Sequence, residues 1–166
     1  MADVPKEIIE EAEKLGVTEE NKIDFFKSFL ADKPYIEKHQ LFDGQATVTF
    51  KSLSSKETKA IFDQLKKDER NLALTNDPSY AMTLSNYRVG MAIIAMDDEE
   101  LAPDVTLDNF KPDNDEDSYV KSRASLLDNW NVFKVGAITD AFNKFESKLM
   151  FLTNHIQTRN FWKAVK

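Results

Sequence analysis

Leu41-Phe42-Asp43-Gly44-Gln45-Ala46-Thr47-Val48-Thr49-Phe50 is the segment that breaks an otherwise helical pattern, and the architecture is best read outward from it. An Asp-Gly pair is followed by strict alternation of apolar and threonine residues. Asp-Gly favours a type I′ hairpin turn, because both central residues of that turn take positive φ. Period-two alternation marks a half-buried strand, so Ala46, Val48 and Phe50 are expected to face a core and Thr47 and Thr49 to face outward. A lone hairpin is marginal in water, so this one has to pack on helices or pair with another chain.

The flanking sequence supplies the helices. Upstream, Pro5 opens a first helix with Ile8, Ile9, Ala12 and Leu15 on one face, and Gly16 stops it. Thr18 reads as the N-cap of a second helix whose apolar side is Ile23, Phe26, Phe29 and Leu30, ended by Pro34. Together these form an acidic N-terminal helical hairpin over residues 1–33. Downstream, Ser54 and Glu57 have capping-box spacing, and Ile61, Phe62 and Leu65 give the next helix its apolar face. Residues 78–96 are apolar nearly all round (Tyr80, Leu84, Tyr87, Val89, Met91, Ile93), which predicts a buried central helix. Residues 97–115 are acidic and contain proline, so a long loop is expected there. Helix resumes near Asp117, breaks near Asn129–Asn131, and continues as a long last helix with Val135, Ile138, Phe142, Phe145, Leu149 and Leu152 at three- and four-residue spacing. The fold class expected is mainly α: a helical bundle with one small β-hairpin packed on it, residues 34–166 forming the hairpin and helical core and the whole making one compact unit.

Composition narrows the functional classes. The chain has 166 residues and 42% hydrophobic content, with 12 Phe, 4 Tyr and 2 Trp, which suits a single domain with an aromatic-rich core. It has no cysteine, which excludes disulfides, thiol nucleophiles and zinc–thiolate sites and fits a reducing compartment. The net charge of −7 is uneven: residues 97–117 carry −9, residues 1–20 carry −5, and residues 118–166 carry +5. Without a concentrated basic face, direct nucleic-acid binding is not expected. No apolar run approaches the roughly 18 residues that cross a bilayer, and the charged start Met1-Ala2-Asp3-Val4-Pro5-Lys6-Glu7 lacks a signal-peptide core, so no membrane association is expected.

Motifs for chemistry fail on their own requirements. Asp113-Asn114-Asp115-Glu116-Asp117 imitates the start of a calcium loop, but the sixth and twelfth positions, which need Gly and a bidentate acid, are Ser118 and Ala124. The consecutive acids Asp97-Asp98-Glu99-Glu100 do not converge on one ion as a hydrolytic metal site must. His39 and His155 have no Gly-x-Ser-x-Gly nucleophile beside them, and the four glycines are too scattered to cradle a phosphate. Gly90, inside a helix, points to close approach by another helix, with Gly136 as the candidate partner. No catalytic, cofactor-binding or metal-binding residue is therefore assigned, and no cofactor is expected.

The order of pieces resembles a known group of proteins. The hairpin Phe42–Leu53 leads into Ser54-Ser55-Lys56-Glu57, then the apolar stretch Tyr87-Arg88-Val89-Gly90-Met91-Ala92-Ile93-Ile94-Ala95-Met96-Asp97, then Trp130 and a long helix with Phe142 and Phe145, closing on Phe161-Trp162. Over residues 40–166 this layout resembles the small tail-morphogenesis proteins of tailed bacteriophages, namely tail assembly chaperones and baseplate-hub components. The resemblance implies a non-enzymatic role, with other phage structural or tail proteins as partners. It implies the host cytoplasm during assembly, or the tail or baseplate of the virion, as the location. A homo-oligomer is compatible with the same reading.

The expected partner-binding residues are Phe161 and Trp162, since aromatics are enriched at binding hot spots, and Asp97, Asp98, Glu99 and Glu100, which could select a basic partner. Phe161 and Trp162 have folding back onto the core as their other reading. The alternative function is an acidic binding module, such as a nucleic-acid mimic unrelated to phage. It requires the carboxylates to form one rigid stripe.

Overall fold

The computed structural model describes residues 4–69 and 78–158. Phe161 and Trp162 lie outside the described residues. Two short helices, α1 (Lys6–Lys14) and α2 (Glu19–Leu30), precede strands β1 (Ile36–Leu41) and β2 (Ala46–Lys51). Helices α3 (Ser55–Glu69) and α4 (Pro78–Ala92) follow, then β3 (Ile93–Met96), β4 (Glu99–Glu100), α5 (Tyr119–Ser125) and α6 (Val132–His155). The protein is mainly helical with a small sheet.

Local sequence accounts for most boundaries. Pro5, with ψ at 138°, stands just ahead of α1. The helix closes at Gly16, φ +65°, where Gly16 donates to the Glu13 carbonyl and Val17 to the Ala12 carbonyl. That paired pattern satisfies carbonyls the helix end would otherwise orphan. Thr18 caps α2 in a reciprocal box with Asn21. Asp32, φ 51°, ends α2 in the left-handed region that aspartate tolerates. Ser54 and Glu57 exchange side-chain and backbone bonds at 2.9 and 3.1 Å at the start of α3.

The hairpin expectation is met only in part. β1 and β2 pair antiparallel, with His39 opposite Val48 and Leu41 opposite Ala46. The connection is a four-residue turn in which Phe42, Asp43 and Gly44 all have positive φ, rather than a two-residue Asp-Gly turn. The hairpin is also not alone. It belongs to an antiparallel sheet ordered β1-β2-β3-β4. The extra strands come from the region expected to be helix and loop: α4 stops at Ala92, and Ile93–Met96 pairs with β2. The two-residue turn is Asp97-Asp98, both with positive φ, closing Met96 onto Glu99. An apolar run cannot by periodicity distinguish a buried helix from a buried strand, and the β-branched Ile93-Ile94 at its end favours the strand. From Leu101 to Ser118 the chain has the expected loop character, built of turns.

Two apolar cores share α4. The larger joins the sheet (Leu41, Val48, Phe50, Ile93, Met96) to α6 through Ile138, Phe142, Phe145 and Leu152. The smaller joins α3, α4 and α5 through Ile61, Leu65, Tyr87, Met91, Tyr119 and Val120. Tyr87 and Met91 face one core while Val89 and Ala92 face the other, which is why α4 lacks a polar face. Leu53, between β2 and α3, packs against both.

Gly90 marks where α5 crosses α4. A Cβ there would lie 2.8 Å from the Cα and N of Ala124 and from the carbonyl carbon of Arg123. The partner of this close approach is thus α5 and not Gly136, whose surroundings are open. The contact brings the buried Arg123 side chain to the end of α4, where its Nε donates to the Gly90 carbonyl at 2.9 Å. Its remaining nitrogens donate to the Leu101 carbonyl at 2.8 Å and to the Ile93 carbonyl. One guanidinium therefore serves carbonyls from a helix end, a strand start and the acidic loop.

Candidate interaction surface

Helix α2 presents its apolar side outward. Ile23, Phe29 and Leu30 are exposed, at 48%, 56% and 66%, as is Phe26. The residues turned inward are Phe25 and Lys22, the latter bonded to Glu19 at 2.9 Å. The apolar side read from the sequence is therefore the side that faces solvent. Phe29 borders a depression that runs past Leu53 to Thr153 of α6. On the far side of Leu53 and Thr153, a groove of about 440 Å³ continues between α3 and α6, lined by Phe62, Leu84, Phe142 and Leu149. Phe62 is half exposed there. The two depressions share Lys51, Ser52, Leu53 and Thr153, so they form one trough from Phe29 to Phe62, polar and charged near Phe29 (Lys33, Lys56, Asp108) and more apolar between α3 and α6.

Ion pairs frame the trough. Arg88 of α4 bonds Glu146 of α6, and Lys51 of β2 bonds Glu57 of α3. Burial raises the Glu146 carboxyl above the usual range, and Arg88 opposes that shift. These pairs place charged groups in the lining of the trough beside its apolar residues. A second apolar spot, Val132 and Phe133, lies at the N-terminal end of α6. At 1.5 Å per residue it is roughly 24 Å along the helix from Leu149.

The acidic residues expected to face a partner have separate assignments. The Asp97 carboxylate accepts the Thr47 backbone N–H at 2.8 Å, while Asp97 N–H donates to the Thr47 carbonyl at 2.9 Å, so Asp97 locks β3 to β2. Asp98 pairs with Lys38 of β1. Glu99 and Glu100 are exposed on β4 and, by the pleat, project to opposite sides of the sheet. The four carboxylates are thus distributed over a hairpin instead of gathered in a flexible loop.

A further polar cluster lies beneath the sheet. Glu37 of β1 accepts the Tyr35 hydroxyl at 2.6 Å and Lys148 Nζ at 2.7 Å, and His39 Nε2 stands 3.1 Å away without the alignment of a hydrogen bond. Burial pushes the Glu37 carboxyl up, but His39, Lys148 and Tyr35 outweigh it and bring it down to about 2. The His39 ring packs at 5.6 Å from Phe50 and 5.8 Å from Phe145. The cluster ties β1 to α6 inside the aromatic core. His155 sits at the other end of α6 from Asn131, its ring 4.6 Å from Phe151. Among the described residues, no three His, Cys, Asp or Glu side chains gather as a metal site, and no helix is long and apolar enough to cross a membrane.

Comparison with known proteins gives no match to a family model, to a curated protein or to a solved structure.

Proposed function

We propose that this chain acts without catalysis, by binding other proteins during bacteriophage tail or baseplate assembly, either as a particle component or as an assembly chaperone. One observation carries the binding role: α2 turns Ile23, Phe29 and Leu30 outward, and Phe29 borders a trough that leads to Phe62. Large exposed apolar patches on soluble proteins mark interaction sites, and aromatic side chains dominate their energetics. The layout of residues 40–166 supports the phage setting. The position of the polar groups supports a non-enzymatic role, since Glu37 and Lys148 are bonded to each other and Arg123 to backbone carbonyls in the core.

The test is binding against purified tail-tube, tape-measure and baseplate proteins of tailed bacteriophages, with the double substitution F29S/F62S as the control. Binding by the natural chain and its loss in the double variant support the reading. Failure to bind any of them removes the phage-assembly role. Binding that survives the substitutions moves the contact away from the trough. Mass spectrometry of purified particles then separates a resident component from a chaperone that departs.

A further inference from the structure

We draw no further inference here: the strongest candidate, the trough running from Phe29 on α2 to Phe62 and Leu149 between α3 and α6, belongs to the surface already described, and nothing in the structure shows what covers it.

Discussion

Gly90 and Arg123 exclude and hold each other at once: the Arg123 carbonyl carbon lies 2.8 Å from where a Gly90 Cβ would stand, and the Arg123 side chain donates at 2.9 Å to the Gly90 carbonyl. The bond exists because the glycine lets α5 come that close. Replacing Gly90 by Ala sets a methyl 2.8 Å from backbone atoms, which cannot swing aside as a side-chain tip can. We expect G90A to lose about 1–3 kcal/mol, despite alanine's better helix propensity. G136A, in open helical surroundings, is expected to gain up to about 1 kcal/mol. Urea denaturation of the two variants checks the contrast, and equal effects would remove the close approach from the account.

Arg123 gives a second, separable expectation. Its planar fork reaches three carbonyls in different segments, which a lysine's single ammonium cannot do. R123K should therefore be nearly as damaging as R123M, each costing roughly 2–4 kcal/mol as buried carbonyls lose their donors. Amide exchange should quicken at the start of β3 and around Leu101 in both variants. A silent R123K would show that charge, not geometry, matters at this position.

Acid should weaken the fold through Glu37. Its carboxyl titrates near 2 when folded against 4.5 as its ordinary value, so the unfolded chain takes up the proton first. The stabilisation is complete above pH 4.5 and is lost as pH falls toward 2. Its size is about 3 kcal/mol from the linkage relation. Stability measured between pH 6 and pH 2.5 should fall less steeply in E37Q than in the natural chain. K148M should cost more than E37Q at neutral pH, because it leaves a buried carboxylate without its cation.

Asp97 and Asp98 should separate although they are neighbours. D97G keeps the positive φ but removes the acceptor for the Thr47 N–H, so a loss of about 1 kcal/mol is expected. Breaking the exposed Asp98–Lys38 pair by K38M should change stability by less than about 0.5 kcal/mol. Thermal melts of the two variants decide it.

The surface residues carry the opposite signature. F29S and F62S each remove a side chain that is half exposed or more, so each should cost no more than about 1.5 kcal/mol and leave helicity unchanged. Their effect belongs in partner binding. A collapse in stability on either substitution would place that ring in the core and not on a docking face.

Much of the architecture was legible from local rules. The caps at Thr18 and Ser54, the stop at Gly16, the inward set Val48 and Phe50 and the long α6 all follow from spacing and residue chemistry. Strand β3 did not, because Ile93–Met96 continues an apolar run whose periodicity suits either state. The Ile93-Ile94 pair followed by Asp97-Asp98, which tolerates positive φ, was the available signal. The outward face of α2 carried no local signal. Its apolar stripe has the amphipathic pattern of a core helix, and only tertiary packing shows that Phe25 and Lys22 turn inward. Arg123 likewise gives no hint in sequence of the carbonyls it meets, since those lie more than 20 residues away along the chain. The acids at 97–100 were visible as charge, but their division between sheet locking, ion pairing and solvent depended on a turn read as part of a loop.

Leu53 bridges the two cores where the trough crosses between them. A protein so divided has a line of weakness along which the smaller core can lift from the larger before the whole chain melts. Protection against hydrogen exchange should therefore fall in two tiers, with α3 and α5 opening ahead of β2 and α6. The trough would then widen or narrow with the breathing of the molecule, so that a partner seated there would also clamp the two halves together.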